Sequence, residues 1–337
     1  MSTPEPTSDA ESRELTMAQA IREAIAEEMR RDETVFVMGE DVAEAGTPFK
    51  VLSGLVEEFG TDRVIDTPIS EPGFTGIGVG AAMTGRRPVV DIMFGDFLGL
   101  VMDQVANQAA KVHYMSGGKL SVPLTIRTTL GATRRSAAQH SQSLHAWVSH
   151  IPGLKVALPS TPRDAKGLMK SAIRDDSPVV IFEDKMNYQQ KGLVPVAEYT
   201  IPLGVAEIKR PGRDVTVIAT SSMVLVALEA AHVLAQEGIE CEVVDPRTTM
   251  PLDREALIDS VRRTSRAVVV DEGHRSYGVG AELAAVVSEG AFYFLDAPVR
   301  RLGALDVPIP FSPVLEDLTV PTTAGLVETV RDLCRPK

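Results

Sequence analysis

Short apolar runs alternate with amphipathic segments along most of this chain. Six of the runs are rich in β-branched residues and predict buried strands: 35–38, 63–65, 89–93, 122–127, 154–158 and 179–182. Segments between them carry helical patterns, at 17–30, 51–59, 72–83, 97–113 and 162–174. Thr16 and Gln19 have the spacing of a capping box, which predicts a helix start. This alternation of strands and helices favours a mainly parallel sheet.

A polar stretch rich in glycine and proline interrupts the alternation and predicts an interdomain linker at 186–205. A second alternating series follows, with strands predicted at 215–219, 240–244 and 267–270. The fold class that we predict is therefore α/β, with two doubly wound domains at 16–185 and 206–337. Residues 1–15 are polar and predict a disordered tail rather than a secretory or transit signal.

Charge and cysteine content narrow the function classes. The 337 residues carry a net charge of −12, which argues against non-specific nucleic-acid binding. Cys241 and Cys334 are far apart and form neither a metal-ligand pattern nor a CxxC redox pair. A reducing, cytoplasmic location is the natural expectation. No apolar run has the length of a membrane span, so we expect no membrane insertion.

Glu71 is the most informative candidate for chemistry. It follows a predicted strand and loop, and it precedes a helix rich in small residues. Ligands of open α/β sheets lie beyond the carboxyl ends of the strands. A carboxylate flanked there by Pro72, Gly73, Phe74 and Ile77 would be poorly solvated and suited to proton exchange. The alternative is an acidic residue that only favours the positive end of the helix dipole.

Three further candidates follow other predicted strands. Glu40, in Gly39-Glu40-Asp41, places a second carboxylate near Glu71, although a solvated acidic turn is the alternative, above all for Asp41. Phe97 closes the sequence Phe-Gly-Asp-Phe and could stack on a flat heterocycle or simply belong to the core. His140 lies between Gln139 and Ser141, a polar setting typical of an acid–base or ligand-orienting histidine.

The other histidines and glycines carry weaker signals. His113, His145, His150 and His232 lie within helical patterns and are interpreted as structural or surface residues, whereas His274 is intermediate. The spacing Gly76-x-Gly78-x-Gly80 is not placed in a tight turn between a strand and its helix, so it does not indicate dinucleotide binding. Neither a P-loop, a zinc cluster nor a Gly-x-Ser-x-Gly elbow occurs.

Taken together, these segments resemble the β subunit of the thiamine-diphosphate-dependent decarboxylating component of 2-oxo acid dehydrogenase complexes. This is the pyruvate, branched-chain and acetoin dehydrogenase group of the transketolase-like superfamily. The matching stretches include MGEDVAEAGTPFK, RVIDTPISEPGFTGIGVGAAMTGRRPVV, AAQHSQSLHAW, VVDPRTTMPLD and DEGHRSYGVGAEL, in order from Thr16 onward. The resemblance implies an N-terminal pyrimidine-binding domain and a C-terminal transketolase-like domain.

The resemblance also implies a role for each candidate residue. Glu71 matches the glutamate that hydrogen-bonds the pyrimidine ring of thiamine diphosphate and promotes its activation. Phe97 matches the aromatic residue packed against that ring. Glu40 matches a carboxylate in the acidic passage between paired active sites. His140 matches the histidine associated with the incoming lipoyl group.

A structural potassium ion is implied by some relatives, in which backbone carbonyls hold it. The matching positions here are Leu124, Ala172, Ile173 and Asp175. One departure from the pattern is Arg134-Arg135, which stands where relatives often have small residues. These arginines could meet an acidic lipoyl domain, the α subunit or the substrate carboxylate.

The Gly-Asp-Gly…Asn motif that holds diphosphate and magnesium in the family is incomplete here, because no Gly-Asp-Gly occurs. In this group the motif belongs to a separate α subunit. The resemblance thus implies an α2β2 heterotetramer, magnesium held mainly by the α subunit, and a lipoyl-bearing acyltransferase core as a further partner.

Pyruvate is the favoured substrate, and acetoin or a branched-chain 2-oxo acid are the alternatives. The phrases MFGDF, QHSQSLHAW and PSTPRDAKGLMK lean towards acetoin-type relatives. From another class, a non-catalytic assembly subunit stays open, although the joint presence of Glu71, Glu40, Phe97 and His140 argues against it. A complete single-chain transketolase is disfavoured by length and by the missing diphosphate motif.

Overall fold

The computed structural model describes residues 11–335, which form two compact units. The first unit comprises the chain up to Leu130 together with Trp147–Leu203. The second comprises Gly131–Ala146 and the chain from Gly204 onward. Residues 1–10 of the predicted tail lie outside the described residues.

Up to residue 203, the helices and strands are β1 (Ser12–Thr16), α1 (Met17–Arg31), β2 (Val35–Gly39), α2 (Leu55–Phe59), β3 (Val64–Asp66), α3 (Glu71–Met83), β4 (Arg87–Ile92), α4 (Ala110–Met115), β5 (Thr125–Leu130), α5 (His145–Ser149), β6 (Lys155–Ala157), α6 (Pro162–Arg174), β7 (Val179–Asp184) and β8 (Lys191–Pro195). Those from Gly204 onward are β9 (Glu207–Arg210), β10 (Val215–Ala219), α7 (Met223–Ala235), β11 (Cys241–Asp245), β12 (Thr248–Met250), α8 (Arg254–Thr264), β13 (Ala267–His274), α9 (Val279–Gly290), β14 (Arg300–Ala304), α10 (Pro313–Glu316) and α11 (Thr323–Cys334).

The first unit is built on a parallel sheet with the strand order β6-β7-β5-β4-β2-β3. Its strands are buried along almost their whole length, which agrees with their continuous apolar sequences. Gly39 at the end of β2 is paired with Asp66 of β3 on one side and with Asp91 of β4 on the other. The loops that follow these three strands therefore leave the sheet at one edge.

Helix α1 begins where the sequence predicts it. The Thr16 side chain accepts a hydrogen bond from the Gln19 backbone, and the Gln19 side chain accepts one from the Thr16 backbone. The helix packs against α6, from which the ammonium groups of Lys166 and Lys170 reach carboxylates of α1 such as Glu27. Both lysines are fully buried, so these ion pairs compensate charges that would otherwise be costly inside the protein.

The structure departs from the sequence interpretation at three places in the first unit. Residues 12–15 of the predicted tail, together with Thr16, form strand β1, which pairs antiparallel with β8 in the predicted linker. The two short strands form because their backbone groups bond to each other, while Val194 is buried in the core and Leu15 packs against it. The helix predicted near 97–113 is instead a 3₁₀ turn at Gly95–Leu100, a π-helical segment at Asp103–Ala109 and the short α4. The helix predicted at 51–59 begins only at Leu55, because Gly54 has a left-handed conformation.

The second unit has a five-stranded sheet in the order β14-β13-β10-β11-β9. All neighbours are parallel except β9, which runs antiparallel to β11 at the edge. Its core lies between this sheet and the helices α7, α8, α9 and α11. Across residues 11–335, no helix combines the length and the apolar content needed to cross a bilayer.

Candidate active site

Three loops from adjacent strands carry the candidate residues of the first unit. Glu71 is the first residue of α3, after the loop that follows β3. Glu40 follows β2, and Phe97 lies in the 3₁₀ turn that follows β4. Since β3, β2 and β4 are neighbours in parallel register, these residues share the carboxyl edge of the sheet. This is the edge at which open α/β sheets bind ligands.

The Glu40 and Glu71 carboxyl groups are both buried, with 8% of each residue exposed. Burial raises the pKa of Glu40, and the negative charges of Glu71 and Asp41 raise it further, although a hydrogen bond from the Ser70 backbone acts in the opposite direction. The buried Oε1 of Glu40 has no hydrogen-bond partner among residues 11–335. Such a pair is suited to share or exchange a proton with a bound group.

The loop that carries Glu40 is fastened to the neighbouring strand. The carboxylate of Asp66, the last residue of β3, accepts hydrogen bonds from the backbone of Ala43 at 2.7 Å and of Glu44 at 3.2 Å. The Thr67 backbone donates in turn to the Gly39 carbonyl at 2.9 Å. Asp41, in contrast, is exposed, as the solvated-turn alternative predicts for it. These bonds hold the two strand ends together and so fix the spacing of the two acids.

Phe97 is partly buried within a row of aromatic rings. Its ring contacts Phe94 edge to face with 5.7 Å between centroids, and Phe94 contacts Phe49 at 6.0 Å. Phe49 in turn lies 5.2 Å from Tyr188. Gly95 is required between the two phenylalanines, since a Cβ there would lie 2.4 Å from the Thr129 carbonyl oxygen. The row orients the Phe97 ring through packing rather than through hydrogen bonds.

A buried ion cluster at the centre of the sheet was not predicted from the sequence. The Arg127 guanidinium on β5 bonds to Glu183 on β7, at 2.9 Å from Nε, and to Asp91 on β4. The Tyr188 hydroxyl donates to Glu183 at 2.8 Å. Burial raises the pKa of Tyr188 well above its ordinary value, and Glu183 adds to the shift. The sequence signal for this cluster was the presence of charged residues within three neighbouring strands that are buried along their length.

His140 lies in the second unit, in the segment between β5 and α5. It is half-buried, and its backbone N–H donates to the Ala137 carbonyl at 3.4 Å. Glu71, Glu40 and Phe97 belong to the first unit and are described with it. Arg135 pairs with Glu316 and Asp317 of the same chain, whereas Arg134 is exposed. Intrachain ion pairs therefore account for Arg135, which departs from the family pattern.

His145 has a structural role. The sequence analysis interprets it as a structural or surface residue, and the structure shows the first of these. It is fully buried, and its Nε2 lies 3.0 Å from Asp271 Oδ1 and 3.2 Å from Oδ2. Burial alone would raise the pKa of Asp271, but the interactions with His145, Thr220 and the Gly273 backbone outweigh it and keep the pKa below its ordinary value. This carboxylate is fully provided with donors.

The four carbonyls proposed for potassium belong to Leu124, Ala172, Ile173 and Asp175. Each already accepts a hydrogen bond from the chain. The Arg87 guanidinium donates to the Ile173 and Asp175 carbonyls at 3.0 and 3.1 Å. Its positive charge disfavours a second cation at the same oxygens. The residues present thus fit a potassium ion poorly.

Comparison with known families covers both units. The family described as "Transketolase, pyrimidine binding domain" matches residues 13–191. The family described as "Transketolase, C-terminal domain" matches residues 204–326. A solved structure titled "Split gene transketolase, inactive beta4 tetramer" is 24% identical, with a TM-score of 0.78 over 95% of this chain and 100% of that one. At this identity the likeness concerns the fold alone.

Curated relatives are much closer in sequence. The chain is 49% identical over 96% of its length to the β subunit of acetoin:2,6-dichlorophenolindophenol oxidoreductase from Bacillus subtilis, of which 98% is covered. It is 48% identical over 95% of its length to the pyruvate dehydrogenase E1 component subunit β of Rickettsia felis, again with 98% covered. A mitochondrial counterpart from Oryza sativa is 45% identical over 97% of this chain and 89% of that protein.

These matches extend over both units and agree with the fold and with the resemblance seen in the sequence. The chain therefore belongs to the family of thiamine-diphosphate-dependent E1 β subunits, the oxidoreductase components of the pyruvate and acetoin dehydrogenase group that work with a separate α subunit.

Proposed function

We propose that this chain supplies the pyrimidine-binding half of a thiamine diphosphate site. Assembled with an α subunit, it oxidatively decarboxylates a 2-oxo acid, with pyruvate as the favoured substrate, and the acyl group passes to lipoamide. The observation that carries the proposal is the Glu40–Glu71 pair. These are two buried carboxyl groups with an oxygen that no residue among 11–335 satisfies. A bound polar ligand would relieve that deficit.

Bound thiamine diphosphate supplies a carbon nucleophile and an electron sink for decarboxylation. In our proposal Glu71 holds a proton against a pyrimidine nitrogen, and Phe97 packs on the face of that ring. Glu40, whose pKa is raised, passes protons to and from the site. His140 orients the incoming lipoyl group. These four roles come from the family resemblance, and the roles of Glu71, Glu40 and Phe97 are supported by the position of all three at the carboxyl edge of one sheet.

Magnesium and the diphosphate group are assigned to the α subunit, because no Gly-Asp-Gly sequence occurs in this chain. We further infer an α2β2 heterotetramer and a lipoyl-bearing acyltransferase core as the acyl acceptor. The domain limits at 16–185 and 206–337 and the cytoplasmic location stay predictions. So does potassium binding, against which the position of Arg87 argues.

Acetoin cleavage is the second candidate function. The 49% identity to the Bacillus subtilis β subunit, whose name specifies acetoin, favours it. The phrases MFGDF and QHSQSLHAW favour it as well. A branched-chain 2-oxo acid remains the third possible substrate, and a purely structural assembly subunit is the alternative from another class.

Co-production with an α subunit that carries Gly-Asp-Gly…Asn tests the proposal. Dye reduction by the purified assembly would be compared on pyruvate, branched-chain 2-oxo acids and acetoin. We expect no turnover by this chain alone, and the highest kcat/KM of the assembly on pyruvate. A preference for acetoin would select the second candidate. Robust decarboxylation by the single chain would overturn the shared-site proposal.

A further inference from the structure

The segment that carries His140 adopts an unusual backbone. Thr133, Arg135 and Ala137 all have positive φ angles, of 66°, 57° and 61°. Residues other than glycine adopt this left-handed region at a cost, so the surrounding structure must hold them there. A run of three such residues at alternate positions requires firm anchors outside the segment.

Two buried glutamates anchor the backbone of this segment. The Ala132 N–H donates to Glu272, and the Thr133 N–H donates to Glu316 Oε1 at 2.7 Å. The second carboxylate oxygen of Glu272 accepts from the Ser222 hydroxyl at 3.0 Å. Both glutamates are at most 7% exposed. Because buried carboxylates are costly without donors, each glutamate and the segment depend on each other.

Arg135 completes the second anchor. Its Nη1 lies 2.6 Å from Glu316 Oε2 and 2.7 Å from Asp317 Oδ1, and its Nη2 lies 3.1 Å from Asp317 Oδ2. Nη1 also donates to the Pro313 carbonyl at 3.3 Å. One guanidinium therefore spans two carboxylates at the end of α10. A lysine could not reproduce this geometry, because its ammonium is a single point charge.

We propose that Arg135 is a positioning residue for acyl transfer to lipoamide. It fixes the strained segment on α10 and so holds His140, five residues further along, in the orientation that receives the lipoyl group. The inference rests on the proposed function of His140. It requires no contact between Arg135 and substrate, cofactor or lipoyl group.

The test uses the assembled α–β enzyme and two rates. Reduction of dichlorophenolindophenol reports decarboxylation without a lipoyl group, and reductive acetylation of a free lipoyl domain reports acyl transfer. We expect Arg135→Gln to lower the acetylation rate by about tenfold or more, since small misplacements of reacting groups have large effects. The dye rate should stay within about twofold. Arg135→Lys should restore the acetylation rate only in part.

Arg254→Gln is the matched control. Arg254 is an exposed arginine of the same unit that pairs with Glu282, and neither rate should change. Asp317→Asn removes one partner of Arg135 and leaves the buried Glu316 paired, so it provides a milder variant if Arg135→Gln folds poorly. It should lower the acetylation rate in the same direction. Melting temperatures of all assemblies complete the measurement.

Three outcomes separate the possible failures. Equal losses of both rates, together with a lower melting temperature, would assign Arg135 a merely structural role and overturn the inference. Normal acetylation by Arg135→Gln alongside impaired acetylation by His140→Gln would overturn it as well, while leaving the proposed function in place. Normal acetylation by His140→Gln would remove the proposed role of His140 itself.

Discussion

Buried acids are treated in opposite ways in the two units. In the first, Glu40 keeps a buried oxygen without a partner among the described residues, and its pKa is raised. In the second, Asp271 bonds to His145, Thr220 and the Gly273 backbone, and its pKa is lowered. Both groups are almost fully buried. The donors around Asp271 and the like charges beside Glu40, and not the depth, therefore distinguish the two acids.

This difference separates acids that stabilise the fold from acids kept ready for a ligand. A carboxylate with several donors contributes stability, because its charged form is favoured more strongly in the folded chain than in the unfolded chain. A carboxylate that lacks donors lowers stability, and a protein retains it only where it has another use. The comparison can be tested by substitution in both units.

The largest effect is expected for Glu71→Gln in the assembled enzyme. Glutamine keeps the size of the side chain but cannot hold or release the proton that the proposed role requires. We expect kcat to fall by about 10² to 10⁴-fold, the usual range for loss of a general acid or base. The measurement is dye-coupled turnover at saturating substrate and cofactor.

Glu57→Gln is the control for that experiment, because Glu57 also lies in the first turn of a helix but is exposed. Its turnover should equal that of the wild type. Unchanged turnover of Glu71→Gln would contradict the ligand role of the first-unit acids and would favour the non-catalytic assembly subunit.

The next largest effect is expected for Asp271→Asn. Loss of the carboxylate leaves the buried donors around it incompletely satisfied, which costs about 1–3 kcal/mol of unfolding free energy. Since the pKa of Asp271 is depressed in the folded chain, its contribution is present above its ordinary value of 3.8 and is lost as pH falls below it. Urea unfolding at pH 7 and near pH 3 would show a gap between variant and wild type that narrows in acid.

For that series Asp259→Asn is the control, since Asp259 is exposed and pairs with Arg262 on its own helix. The exposed pair should contribute less than about 1 kcal/mol. A loss for Asp271→Asn no greater than this would mean that the donors around Asp271 do not stabilise the second unit.

The smallest effect on stability is expected for Glu40→Gln. Unlike Asp271→Asn, this substitution should not destabilise the folded chain. Because the pKa of Glu40 is raised by folding, the wild type loses stability as pH rises above the ordinary value of 4.5. The variant should match or exceed wild-type stability at pH 7, by no more than about 1 kcal/mol, and the difference should vanish below pH 4. Turnover of the assembly should fall at the same time. If Glu40→Gln were less stable than the wild type and kept full turnover, Glu40 would be an acid that stabilises the fold and not one kept for a ligand.

Much of the fold could be read from local patterns. The capping box at Thr16, the uninterrupted helix α6 and the parallel sheet follow from side-chain chemistry within a few residues of each position. Strands β1 and β8 could not be predicted in the same way. Their stability comes from backbone pairing between segments that lie far apart in sequence and carry little hydrophobic periodicity.

The candidate site was predicted in part. Residues such as Glu71 and Glu40 were identifiable because they follow apolar runs, where ligands bind in this class of sheet. The Arg127 cluster and the Asp271–His145 pair were not, because each depends on contacts across the sheet or between distant segments. Arg135 was noticed only as a departure from the family pattern. Its partners Glu316 and Asp317 lie more than 180 positions further along the chain.

That separation has a consequence for how the protein is made. Residues 131–146 leave the ribosome well before Glu272 and Glu316, the two acids that anchor their backbone, have been synthesised. At ordinary elongation rates the delay is on the order of ten seconds. During that time the segment that carries His140 lacks its backbone hydrogen bonds to Glu272 and Glu316. Conditions that slow translation of the C-terminal half should therefore expose this segment, in the nascent chain, to proteases and to chaperones.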